Sequence, residues 1–108
     1  MKKVPYDKLV RNRIPEILQA EGKKGRFEQV AGAAYRKRLD EKLMEEVQEF
    51  IASGALEELA DIGEVMHAIL EYEGISLEAF QQARQDKLVA RGGFSLGYVL
   101  KEVQEDEA

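Results

Sequence analysis

The chain has 108 residues, with 16 Lys/Arg, 21 Asp/Glu, no cysteine and a formal net charge of −5. That is enough for one domain with a modest core, and a helical domain this small often completes its core by oligomerising. The lack of cysteine excludes disulfides and thiolate metal sites and is compatible with a reducing compartment. No run approaches the length of a membrane span, and Met1 to Tyr6 lacks the apolar stretch of a signal peptide. The expectation is a cytoplasmic protein with no membrane partner.

The charge is unevenly spread. Residues 1–38 hold eleven Lys/Arg against four Asp/Glu, whereas residues 39–73 hold eleven Asp/Glu against one Lys. A basic flank beside an acidic centre suits a cation site that must also hold an anion. It argues against nucleic acid as a partner, which would require a dominant basic surface.

Residues 1–108 read as a single domain, without repeats or low-complexity linkers. Lys8 to Arg13 is a basic arm. Pro15 suits a first helical position and Gly22 a stop, which predicts a short helix from Pro15 to Glu21. Phe27 to Val30 alternates apolar and polar residues, as a short strand does. From Ala33 to Ile51, Tyr35, Leu39, Leu43, Val47 and Phe50 recur at helical spacing. Ser53-Gly54 breaks the pattern, and a second long helix follows over Leu56 to Tyr72. Gly74 ends it, and Ser76 is an N-cap for a helix to Ala90. Gly92-Gly93 stops that helix. The expected fold is all-α: a bundle built on a helical hairpin and completed by homo-oligomerisation, as a homodimer or homotetramer. A short β-ribbon from 27–30 and 98–103 is an added expectation.

The chemistry concentrates on the hairpin. Glu46 and Glu49 lie three residues apart on the first long helix, and Glu58 and Asp61 do so on the second. Each step puts both carboxylates on one helix face. A hairpin would bring the four together, where they repel unless a cation joins them. Hard oxygen donors suit Mg²⁺, with Mn²⁺ as a substitute, and Mg²⁺ usually accompanies phosphate chemistry. Glu45, Glu57 and Glu64 border the same face. Glu45 reads as a spare ligand, a second-metal ligand or a surface charge. Lys42, one turn earlier, either forms a local ion pair or reaches a phosphate. His67 is the only histidine, and a lone helical histidine is more often packed or half-exposed than catalytic.

Lys42 to Phe50 and Glu57 to Ile62 resemble the Glu-x-x-Glu … Glu-x-x-Asp signature of the all-α NTP pyrophosphatase superfamily, which includes MazG-like proteins and phosphoribosyl-ATP pyrophosphohydrolases. Two further stretches, Tyr6 to Ile17 and Lys87 to Phe94, look like its phosphoribosyl-ATP pyrophosphohydrolase-like branch. The chain departs from that branch at Asn12-Arg13, where Asp-Lys is usual.

The resemblance implies hydrolysis of an α–β phosphoanhydride to a nucleoside monophosphate and pyrophosphate. It assigns Glu46, Glu49, Glu58 and Asp61 as Mg²⁺ ligands, and it turns Lys87 and Arg91 toward the phosphates. Arg84 lies one turn before Lys87 and can join them. Arg11 and Arg13 of the arm can close over the substrate. Glu46 or Glu49 is the expected water-orienting base. Two other readings remain open on the sequence: a helical dimer that binds nucleotide or metal without turnover, and a nucleic-acid adaptor using Lys2 to Arg13.

Overall fold

The computed structural model describes residues 2–106 and contains four helices. They are α1 (Ile14–Ala20), α2 (Gly32–Ser53), α3 (Leu56–Glu73) and α4 (Leu77–Arg91). Each matches a sequence-predicted helix to within two residues at either end. Backbone packing divides the chain into two compact units, Met1–Ile75 and Ser76–Ala108.

The first unit is organised by the α2–α3 hairpin. Gly54 ends α2 in the left-handed region, at φ 66°, and its N–H donates to the Phe50 carbonyl at 2.7 Å. Only glycine adopts this conformation without steric cost. The Ser53 hydroxyl accepts from the Ala55 N–H at 3.1 Å and braces the turn. Glu57 and Glu58 occupy the first turn of α3, where negative charge complements the helix dipole.

The two helices run antiparallel. At the open end Arg36 of α2 donates to Glu73 of α3 at 2.9 Å, and Tyr35 meets Tyr72 edge to face with centroids 6.0 Å apart. Between these ends Leu39 is 2 % exposed and Val65 8 %. Leu43, Val47 and Phe50 on α2, and Ile62, Met66, Ile69 and Leu70 on α3, are half-buried. The α2 stripe of Tyr35, Leu39, Leu43, Val47 and Phe50 foreseen from the sequence is therefore one side of the hairpin seam. It is thin, because two helices alone cannot enclose a core.

The basic arm runs irregularly to α1, and Leu9 and Val10 are its half-buried residues. Asp7 has φ 45°, unusual for a side-chain-bearing residue. Arg38 of α2 grips it there, donating to the Asp7 carbonyl at 3.1 Å and to its carboxylate at 2.9 Å. In the second unit, the Ser76 hydroxyl accepts from the Ala79 N–H at 3.1 Å, the cap expected of it.

The expected β-ribbon is not formed: among the described residues there is no strand. Four alternating residues are too few to sustain an isolated ribbon. Phe27 instead folds its ring back over Gly25, where a Cβ would collide with it. Residues 98–103 follow Gly97 as an exposed, irregular segment. Among the described residues no helix is long and apolar enough to cross a membrane.

Candidate metal centre

The hairpin brings Glu46 of the first acidic step to both members of the second, whereas Glu49 groups with Glu45 and Glu46 instead, so the four carboxylates expected to converge form two overlapping groups of three. One oxygen from each of Glu46, Glu58 and Asp61 lies within 4.8 Å of the others, and the same holds for Glu45, Glu46 and Glu49. Glu46 belongs to both groups. All-carboxylate groups of this size can hold a metal ion. The cause is local: Glu46 on α2 and the i, i+3 pair Glu58 and Asp61 on α3 lie on either side of a two-residue turn and meet across the seam.

Glu46 is the unusual member. It is 5 % exposed, and its Oε2 is buried without a hydrogen-bond partner. Its other oxygen, Oε1, lies 3.1 Å from Lys42 Nζ. Burial pushes the Glu46 carboxyl above its ordinary range; Lys42 draws it back, and Glu49 pushes it further up. An orphaned, buried carboxylate oxygen amid other carboxylates is the donor a hard cation requires.

Lys42 Nζ also lies 3.4 Å from Glu45 Oε2, so it stands as a local ion pair to both neighbours. The arm adds two more cations. Lys8 donates to Glu45 Oε1 at 2.8 Å, and Arg11 donates to Asp61 Oδ1 at 2.7 Å. Burial opposes ionisation of Glu45, yet Lys8 and Lys42 outweigh it and hold its carboxyl below the ordinary range. In return the Glu45 hydrogen bond raises the Lys8 ammonium above its own.

The other sequence-predicted residues are placed as follows. Glu49 is exposed at the edge of its group, while Glu58 and Asp61 are half-buried. Glu57 and Glu64 are exposed. Arg13 is paired with Glu16 at the start of α1, at 2.6 Å, and Arg11 is the arm's arginine at the cluster. His67 is half-exposed beside Glu71, at 3.4 Å. Arg84, Lys87 and Arg91 lie on α4 at steps of three and four residues, which puts them along one face of that helix. Arg84 donates to Gln81 at 2.9 Å.

Lys8 and Arg38 were missed by sequence reasoning. Their pairings span 37 and 31 residues, and only the opposite charge of arm and hairpin hinted at them. No family model, curated protein or solved structure matches the chain.

Proposed function

We propose that this chain is a Mg²⁺-dependent nucleotide pyrophosphohydrolase of the MazG-like kind, which splits a nucleoside triphosphate or related nucleotide at its α–β phosphoanhydride. It works in the cytoplasm and clears non-standard nucleotides. The observation that carries the reading is Glu46, a carboxylate withdrawn from water, with one orphaned oxygen, shared by two carboxylate groups. Leaving such a group unsatisfied costs about 1–3 kcal/mol, and a divalent cation is the natural remedy. Glu46, Glu49, Glu58 and Asp61 would hold it. When bound, the ion supplies positive charge to the phosphate oxygens as negative charge develops in the transition state.

The chain's own residues supply the rest. Lys42 fixes the position of Glu46. Glu49, on the exposed side, orients a water and takes its proton. The water oxygen bonds to the α-phosphorus, and the bond from that phosphorus to the bridging oxygen breaks. Pyrophosphate leaves with the bridging oxygen. Arg84, Lys87 and Arg91 share one face of α4, and the resemblance assigns them to a polyphosphate.

Self-association as a dimer or tetramer belongs to the same reading. Met44 and Ile51, two turns apart on α2, are exposed, as are Leu56 and Leu59 on α3. Exposed apolar surface on a hairpin with so thin a core supports the reading that a second copy covers it.

The test is pyrophosphate release from a panel of standard and damaged nucleoside triphosphates plus phosphoribosyl-ATP. It is run with Mg²⁺ and with EDTA, beside Glu49→Gln. Mg²⁺-dependent release that vanishes in the variant supports the enzyme. Nucleotide binding without release would transfer the reading to a non-catalytic regulator.

A further inference from the structure

The arm and the carboxylate cluster form one ionic system, and its contacts are not equivalent. At its beginning the arm is doubly fastened. Arg38 holds Asp7 through both its carbonyl and its carboxylate, and Lys8 is paired with Glu45. The Lys8 ammonium also lies 5.7 Å from the Tyr6 ring centroid, within cation–π range. Glu45 is in turn held from the other side by Lys42. These pairs enclose a small cleft lined by arm and α2 residues. They make the segment around Asp7 and Lys8 a fixed anchor on α2.

Arg11 differs. Among the described residues its side chain makes one ion pair, to Asp61 Oδ1, and is 56 % exposed. Asp61 is a member of the group that also contains Glu46 and Glu58. Arg11 therefore neutralises a carboxylate that the metal reading assigns to the cation. A monovalent guanidinium and a divalent cation cannot both neutralise Asp61 fully. An exposed ion pair of this kind is weak in water, so it is readily exchanged. Once released, the guanidinium remains tethered three residues from the Lys8 anchor, beside the site. Its fork of donors matches a phosphate oxygen pair better than any ammonium does.

The geometry points to Arg11 as an exchangeable counter-ion: it pairs with Asp61 and passes to the nucleotide phosphates when a divalent cation takes the carboxylates, with Asp7 and Lys8 as the fixed anchor. This rests on the metal site proposed above. It makes binding ordered, because the arm presents its phosphate-binding group only after the cation has arrived. It also separates the arm's two charges, with Lys8 an anchor and Arg11 a substrate contact.

The test uses the full chain, Arg11→Gln and Arg11→Lys, with two calorimetric titrations. Mg²⁺ alone is titrated first, followed by inorganic tripolyphosphate into the Mg²⁺-saturated protein. The expected result is opposite in sign for the two probes. Arg11→Gln binds Mg²⁺ about two- to fivefold tighter, as loss of a weak competitor requires, and binds tripolyphosphate more weakly. Arg11→Lys returns toward wild type in both. If Arg11→Gln leaves Mg²⁺ affinity unchanged, or weakens both ligands together, Arg11 is a structural brace and the exchange is overturned. If neither wild type nor variant binds Mg²⁺, the metal site itself fails, and the exchange with it.

Discussion

Replacing Glu46 by Gln tests the physical argument at its most exposed point. Glu46 Oε2 is buried and unpartnered, and the carboxyl is pushed up by burial and by Glu49. Gln is nearly isosteric. Its carbonyl can still accept from Lys42, and its amide N–H can donate to the carboxylate of Glu49, with which Glu46 forms one oxygen cluster. The substitution thus replaces two neighbouring acceptors with a donor–acceptor pair and relieves about 1–3 kcal/mol of unsatisfied burial. In a domain of this size 1 kcal/mol moves the melting temperature by roughly 4–8 °C. In EDTA, Glu46→Gln should therefore melt several degrees above wild type, although it removes the proposed central ligand. With Mg²⁺ the order should reverse. At one thousand times its Kd a bound ion adds about 4.1 kcal/mol to the wild type, more than the relief, and it should add little to the variant. Thermal melts followed by far-ultraviolet circular dichroism, with Mg²⁺ and with EDTA, decide the matter. A variant that melts below wild type in EDTA, or gains as much from Mg²⁺, would refute the reasoning.

Three further outcomes follow from the same contacts. Without metal, the raised Glu46 carboxyl means that the folded chain keeps this proton to higher pH than the unfolded chain, so stability falls as pH rises from the ordinary carboxylate range through the raised value. The lowered Glu45 carboxyl acts oppositely: its stabilisation is full above the ordinary value and is lost as pH falls through the lowered one. Urea midpoints in EDTA across the acid to neutral range should show both flanks, and Mg²⁺ should abolish the upper one. Gly54→Ala should cost about 1–2 kcal/mol in urea unfolding, because φ 66° is strained for any residue with a Cβ while the space around it is open; no loss would mean that the turn relaxes. Ile51→Glu should weaken self-association and lower the mass seen by light scattering, and a wild type that is already monomeric would remove the proposed interface.

The helices were legible because each carries its own punctuation. Gly54 and Gly74 take the left-handed conformation that ends α2 and α3, and Ser76 caps α4 through its hydroxyl. The convergence of Glu46, Glu58 and Asp61 was legible for the same reason, since an i, i+3 step on each side of a two-residue turn leaves little freedom. The irregular segments were not. Alternation at Phe27 to Val30 suggested a strand, but a strand needs a partner, and the Phe27 ring found Gly25 instead. The burial of Glu46, its lone oxygen and the pairing of Lys8 with Glu45 depend on contacts between distant segments. Periodicity carries no record of these. The sequence did show eleven acids facing one lysine across residues 39–73, and the structure shows that part of their compensation comes from Lys8, Arg11, Arg36 and Arg38 outside that stretch.

The most direct measurement of the proposed activity is nucleoside triphosphate hydrolysis in ¹⁸O-labelled water, with both products weighed by mass spectrometry, in Mg²⁺ and in EDTA. Attack at the α-phosphorus places the label in the nucleoside monophosphate and leaves the pyrophosphate unlabelled, in Mg²⁺ only. Release of labelled orthophosphate with a nucleoside diphosphate, label in the pyrophosphate, or equal turnover in EDTA would contradict the account.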